Sequence, residues 1–202
     1  VLIDEWLPAY DVSDSVATAV AADASTTWKA LLKTDLIEVG RRKPLIGALG
    51  AVRMLPELAA QLLHGERPAG PPDHMTLLEM ADAPAGEGGW VLLGERPGEE
   101  LALGLVGRFW RPVIEYAAVP AEEFAAFDEP GWAKTVYALS VRPLGGGESL
   151  LEGTMRTATT DEHARRWFNR YWTLGVGSGA HVLVQGLLEV ARAEAESRAA
   201  PA

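Results

Sequence analysis

Four histidines, His64, His74, His163 and His181, are the only imidazoles in the chain, and there is no cysteine. No two of these histidines stand two to four residues apart, and no His-Glu-x-x-His occurs, so the spacing that brings two imidazoles to one zinc is missing. Without thiols, disulfides, thiolate nucleophiles and cysteine-ligated metal are excluded. No metal and no cofactor is therefore expected. Ser178 lies between Gly177 and Gly179, but no strand precedes it to form the sharp elbow that exposes a nucleophilic serine. Gly175-x-Gly177-x-Gly179 is as glycine-rich as a phosphate loop, yet it follows a helical pattern and lacks a Lys-Ser/Thr after it. Asp73-His74 could pair as acid and base, although prolines and glycines ahead of it give the composition of an exposed loop. The remaining polar candidates are phenols and guanidiniums. Tyr137 and Tyr171 can orient a carbonyl by hydrogen bond. Arg108 and Arg156 have the strand parity of outward-facing residues, possible partners of Glu152, and would reach a ligand carboxylate only if a bulge turned them inward.

The elements that must position these groups end in a long helix. Thr159-x-x-Glu162 has the form of a capping box, and Asp161 and Glu162 suit the positive end of the helix dipole. At 100° per residue, Ala164, Phe168, Tyr171, Gly175, Gly179, Val182, Gly186 and Ala193 share one face, with Trp172 at its edge. Aromatics and glycines thus lie on the same side. An interior glycine costs about 1 kcal/mol against alanine, so the row needs a reason. The helix breaks near 175–179, or it packs closely on a neighbouring backbone, or the missing side chains leave room for a ligand.

Ahead of this helix, Val12, Val16, Thr18 and Val20 share the parity of a strand within residues 10–22. Ser25-Thr26-Thr27 offers caps for a short helix carrying Trp28, Leu31 and Leu32. Residues 45–64 read as two short helices divided at Pro56, and 66–73 as a loop. Strands are expected at 75–80, 90–95, 101–110, 134–142 and 150–158. Leu101, Leu103, Leu105 and Phe109 share one parity, as do Thr135, Tyr137, Leu139 and Val141. One early strand, helices, contiguous antiparallel strands and a final helix make the fold class α+β. Phe124 and Phe127 stand in a segment opened by Pro120 and closed by Pro130-Gly131, with a short helix at 121–126. Two such side chains must pack on something: over a cavity mouth, or in a contact between two copies. Val184 and Leu188, opposite the glycine face, also suggest a homodimer surface.

The 202 residues suit one domain, with 199–202 as a frayed tail, and the 48% hydrophobic content supports a sizeable core. The formal net charge of −10 makes nucleic acid and anionic membrane poor partners. Val1–Tyr10 shows no basic region followed by an apolar run, so no signal peptide is expected. The mostly apolar stretch 45–63 is interrupted by Arg53, Pro56 and Glu57 and does not suit a bilayer. With no cysteine, a cytoplasmic location fits.

The early strand with the Trp28 helix, the antiparallel meander, and the ending Thr160-Asp161-Glu162-His163-Ala164-Arg165-Arg166-Trp167-Phe168-Asn169-Arg170-Tyr171-Trp172 resemble the SRPBCC superfamily. These are the helix-grip proteins related to START domains, the birch-pollen allergen and polyketide cyclases. The segment Glu123–Lys134 also resembles uncharacterised bacterial members. Relatives often carry Thr-Glu-Thr-Arg late in the last strand. Here Gly153-Thr154-Met155-Arg156 keeps the arginine and lacks the acid. The resemblance implies a curved sheet gripping the C-terminal helix, two short helices after the first strand, and a hydrophobic cavity between sheet and helix. Combined with the strand parities and the glycine face, it puts Leu103, Leu105, Phe109, Tyr137, Leu139, Met155, Phe168, Tyr171, Trp172, Gly175, Gly179 and Val182 around a small hydrophobic ligand. The alternatives are a cyclase- or dehydratase-like enzyme using the same cavity, with Tyr137, Tyr171 or an arginine polarising the substrate, and an interaction module with a vestigial pocket.

Overall fold

A computed structural model of the chain describes residues 1–63, 65, 72–82 and 90–200. Its elements are α1 (Leu2–Trp6), β1 (Val12–Val20), α2 (Ala24–Lys33), α3 (Leu36–Arg42), α4 (Pro44–Leu63), α5 (Leu77–Ala81), β2 (Val91–Arg96), β3 (Glu100–Arg108), β4 (Glu115–Tyr116), α6 (Ala121–Phe124), β5 (Ala133–Gly145), β6 (Glu148–Thr159), α7 (Glu162–Tyr171) and α8 (Gly177–Ala199). The strands form one antiparallel sheet in the order β1-β6-β5-β3-β2, with β4 on β3. The fold is α+β, a helix-grip arrangement in which the sheet holds the long C-terminal helix on its inner face. His64, residues 66–71 of the loop expected over 66–73, and residues 201–202 of the tail expected over 199–202 lie outside the described residues.

Strand alternation sorts the side chains between two cores. Leu101, Leu103, Leu139, Val141 and Leu151 point inward and pack with Trp28 and Leu31 of α2 and with Val184, Leu187, Leu188, Ala191 and Ala195 of α8. Ala102, Val106, Val136 and Ala138 point outward, where Leu2, Ile3 and Leu7 of the N-terminal segment join Phe124. The sheet is therefore covered on both faces. Gly153 marks where α8 crosses β6 on the inner face. A Cβ there would lie 2.9 Å from Val184 Cγ1, a close approach that only glycine allows without movement.

Several sequence expectations change. Residues 77–81 are helical, not strand. Thr76 and Glu79 form a reciprocal capping box at their start, a local signal that outweighs the apolar run. The stretch expected as two short helices is one 20-residue helix, α4, because a proline removes a single N–H donor and need not end a helix. The fold thus carries α3, α4 and α5 as well as α2 between the first two strands. Asp23, not Ser25-Thr26-Thr27, caps α2, its carboxylate accepting from the Thr26 amide. Asp161, not Thr159, caps α7, accepting from the Ala164 amide at 2.7 Å. Thr159 is still in β6, and its amide and hydroxyl both donate to Asp11.

The final helix is not continuous. Between α7 and α8 lies one wide turn, Trp172–Val176, in which Leu174 and Gly175 leave helical geometry, Gly175 at φ 102° and ψ −3°. A left-handed residue ends the phase of a right-handed helix. Projected at 100° per residue without a break, the buried stripe of α8 would sit roughly 150° from Phe168. In the structure both face the sheet. Val184 and Leu188 are accordingly core residues rather than a surface for a second copy. By length and hydropathy alone, Glu162–Ala199 could cross a membrane. The buried stripe of α8 in the inner core accounts for part of that apolarity.

Candidate functional site

The inner face has a packed half and an open half. Over the packed half, α8 presents its leucines and valines to α2 and the sheet. Over the other half, next to the break, it presents small residues. There a cavity of about 600 Å³ is lined by Leu105 and Phe109 at the end of β3, Thr135, Met155 and Thr157 of β5 and β6, Phe168, Tyr171 and Trp172 of α7 and the turn, and Leu174, Gly175, Val176, Gly179, Ala180 and Leu183, with Trp90, Ile114 and Tyr116 closing the side. Leu174 is 85% exposed and Leu183 44%, so these two apolar side chains mark the mouth.

Of the residues expected around a ligand, Leu105, Phe109, Met155, Phe168, Tyr171, Trp172, Gly175 and Gly179 line this cavity together. Leu103 and Leu139 do not. They are fully buried in the packed half under α8. Tyr137 packs edge-on against Trp90, ring centroids 6.4 Å apart, and against that same core. Burial, and after it the Asp14 carboxylate, push its phenol ionisation far above the usual range, so it is a neutral group. Val182 belongs to a second, shallower depression of about 610 Å³ with Ser13, Asp14, Thr173, Gly177, Ser178 and His181. Trp172 and Gly175 line both spaces. The indole lies flat as the partition because Gly177 has no side chain: a Cβ there would come within 2.7 Å of the Trp172 ring. Phe168 stacks on Trp172 with centroids 5.7 Å apart.

The cavity is apolar and uncharged. Among the described residues no Asp, Glu, Lys, Arg or His side chain lines it. Its deepest polar groups are Thr135 and Thr157, whose hydroxyls lie 2.9 Å apart. Sequence reasoning put Thr135 on the correct parity without singling it out, and missed Thr157, Trp90, Ile114, Tyr116, Leu174, Val176, Ala180 and Leu183. The signal for the threonines was available, since Met155 and Thr157 share parity and Thr135 shares it with Tyr137. Trp90 opens the strand expected at 90–95 but was not picked out as a wall residue, and Ile114 and Tyr116 come from a segment with no periodic pattern.

The other candidate groups are structural. Arg156 points outward and is the clamp for α1: its guanidinium donates to Asp4 at 2.7 Å and to the Leu7 carbonyl and stacks over Tyr10 at 4.5 Å. Arg108 donates to Glu115 and to the Gly131 carbonyl and covers the Trp132 ring. Glu152 pairs with Arg142 instead. His74 does not work with Asp73; it sits beside Asp35 at 3.1 Å and near Glu79, which cap α3 and α5. His181 Nδ1 lies 3.0 Å from the Asp14 carboxylate, tying α8 to β1. No group of three or more metal-ligating side chains gathers among the described residues. Phe124 is 0% exposed and packs on the outer face, edge-on to Trp6, so it does not cover the cavity mouth. Its glycine neighbour Gly104 would meet it with any Cβ. Phe127 packs on Trp132 in that same outer cluster.

No protein-family model matches the chain, and no curated protein matches it. Solved structures do resemble it over nearly their whole length. A hypothetical protein from Helicobacter pylori is 11% identical with a TM-score of 0.42, covering 95% of this chain and 93% of that one. A conserved protein from Geobacillus kaustophilus is 10% identical with a TM-score of 0.40, covering 92% and 96%. The Zhui aromatase/cyclase from a Streptomyces species is 12% identical with a TM-score of 0.35, covering 94% and 96%. At this level the chain is similar to these proteins in fold, and nothing about activity passes from them to it.

Proposed function

We propose that the protein binds a small hydrophobic molecule in the cavity between the sheet, α7 and the start of α8. One observation carries this reading: a space of about 600 Å³ walled by aromatic and aliphatic side chains, with no charged group among its described lining. That size and lining suit a small-molecule site. The cyclase-like alternative needs an acid or base at the substrate. The ionisable side chains in the described lining are the phenols of Tyr116 and Tyr171. Of the groups expected to polarise a substrate, Tyr171 lines the cavity and Tyr137 packs in the closed half of the core. Arg108 and Arg156 are held in outer-face contacts, so among the described residues no carboxylate, imidazole or guanidinium meets a ligand there. Binding without chemistry is therefore the preferred reading. The net charge of −10 disfavours nucleic acid and anionic lipid as partners, and the cysteine-free composition suits a cytoplasmic protein. The phenylalanines that suggested a homodimer lie in the chain's own outer core.

The test is native mass spectrometry of the purified protein with extraction of any retained molecule, followed by titration with the neutral dye Nile red. Wild type should bind the dye. Gly179→Leu, which projects a side chain into the cavity, should raise Kd at least about tenfold, since each Å² of dye surface left in water forfeits about 25 cal/mol. A folded Gly179→Leu variant with unchanged dye affinity would count against the cavity as the site.

A further inference from the structure

We propose that Thr135 and Thr157 form the polar pole of this cavity and present one hydroxyl proton to its ligand, which is thus a neutral, flat, aromatic molecule carrying a carbonyl or ether oxygen. The inference rests on the cavity being the ligand site. Thr135 and Thr157 stand directly opposite each other on β5 and β6, 6% and 1% exposed, with their hydroxyl oxygens 2.9 Å apart. A hydroxyl has one proton to donate and two lone pairs. The pair therefore owns two protons, and the bond between them uses one. Neither hydroxyl makes another hydrogen bond among the described residues. One proton is left over, and an unmet buried donor is rarer and costlier than an unused lone pair. Both side chains line the cavity, so an acceptor placed there would take that proton. The other buried hydroxyl pair, Thr27 and Ser149 at 2.8 Å, lines neither cavity.

The walls define the rest of the ligand. Trp90, Phe109, Tyr116, Phe168, Tyr171 and Trp172 surround the space, and aromatic faces and edges favour a flat ring system. A charged ligand would lose its hydration without meeting a counter-ion, which leaves a neutral one. The acceptor oxygen must sit at the sheet end, opposite the mouth formed by Leu174 and Leu183.

A matched pair of probes tests this: fluorene and 9-fluorenone share a three-ring outline and differ by one carbonyl. Tryptophan fluorescence titration gives the ratio of Kd for fluorene to Kd for fluorenone. In the Thr135→Val/Thr157→Val variant this ratio should fall about three- to tenfold, the worth of one neutral hydrogen bond, while the Kd for fluorene stays within about twofold because both partners of one hydrogen bond are replaced together by apolar groups of the same shape. The Thr135→Ser/Thr157→Ser variant keeps both hydroxyls and should keep the wild-type ratio. Ligand solvation cancels between variants. If fluorene binds wild type and the double valine variant leaves the ratio unchanged, the hydroxyl pair is not the ligand's anchor. The same holds if the serine variant loses the ratio as the valine variant does. If wild type binds neither probe, the reading of the cavity itself fails.

Discussion

Gly175, Gly177 and Gly179 should respond to alanine in three different ways, because each lacks a side chain for a different physical reason. At Gly175 the cause is the backbone. Its φ is 102° and an added Cβ meets nothing within 4 Å, so the whole effect is conformational. Forcing an L-residue into the left-handed region costs about 1–2 kcal/mol, and the stiffer unfolded chain returns about 0.4–1 kcal/mol. The net loss is roughly 0.5–1 kcal/mol, a fall in Tm of about 2–4 °C per kcal/mol for a chain of this size. At Gly177 the backbone is helical, φ −57°, but a Cβ would lie 2.7 Å from Trp172 Cε2 and 2.8 Å from Nε1. The indole must move. Overpacking of this kind costs about 1–3 kcal/mol against about 1 kcal/mol of improved helix propensity, and Nile red affinity should fall because Trp172 is a cavity wall. Gly179 lies inside α8 and is not among the positive-φ glycines. Alanine there should raise stability by up to about 1 kcal/mol and change dye affinity little. Thermal melts and dye titrations of the three variants distinguish these effects. A Gly175→Ala protein as stable as wild type, or a Gly179→Ala protein destabilised by more than about 1 kcal/mol, would refute the placement of the break.

Phe124→Ala should cost about 3–5 kcal/mol in a denaturant melt, since the ring is fully enclosed on the outer face, and should leave Nile red affinity unchanged; lost binding with intact stability would restore a covering role. Arg156→Gln removes the ion pair to Asp4 and the bond to the Leu7 carbonyl, so hydrogen exchange should accelerate across residues 2–7 while the inner core stays protected. Unchanged exchange there would show that apolar contacts alone hold α1. The Asp161 carboxyl is held below its usual range, first by the backbone N–H of Ala164 and also by those of Gly131 and His163. A depressed folded value means that the stabilisation is complete above the unfolded carboxyl pKa near 4 and is lost as pH falls through the folded value. Asp161→Asn should therefore flatten the acid side of the Tm–pH profile below about pH 4; an unaltered slope would contradict the assignment.

Much of the sheet was legible because its rules are local. Alternation along 101–109, 134–142 and 150–158 sorted inner from outer side chains correctly, and put Leu105, Met155 and the two arginines on the faces where they lie. The aromatic start of the last helix was legible for the same reason: within α7, 100° per residue holds, and Phe168 and Tyr171 come out together. The Thr76-x-x-Glu79 box was also readable, and an apolar run masked it. Of the missed pieces of the cavity wall, Trp90 stands at the first position of a strand that was expected, and Ile114 and Tyr116 sit in a segment too short for any period to show.

By itself the sequence determined the strand parities, the α+β order of elements, and the presence of glycines where a helix could break. Only the tertiary structure decided which glycine breaks it and how α8 is rotated beyond the break. Helical phase is a running sum of local angles, and one residue at φ 102° resets it. A projection carried from Phe168 does put Gly179 beside the cavity, but it could not foresee that Val184 and Leu188 turn to the core. The same limit applies to partners far apart in the chain. Asp4 with Arg156, and Asp14 with His181, meet because the sheet pairs its first strand with its last. That pairing is selected by the burial of whole faces, and a run of residues read in order does not contain it.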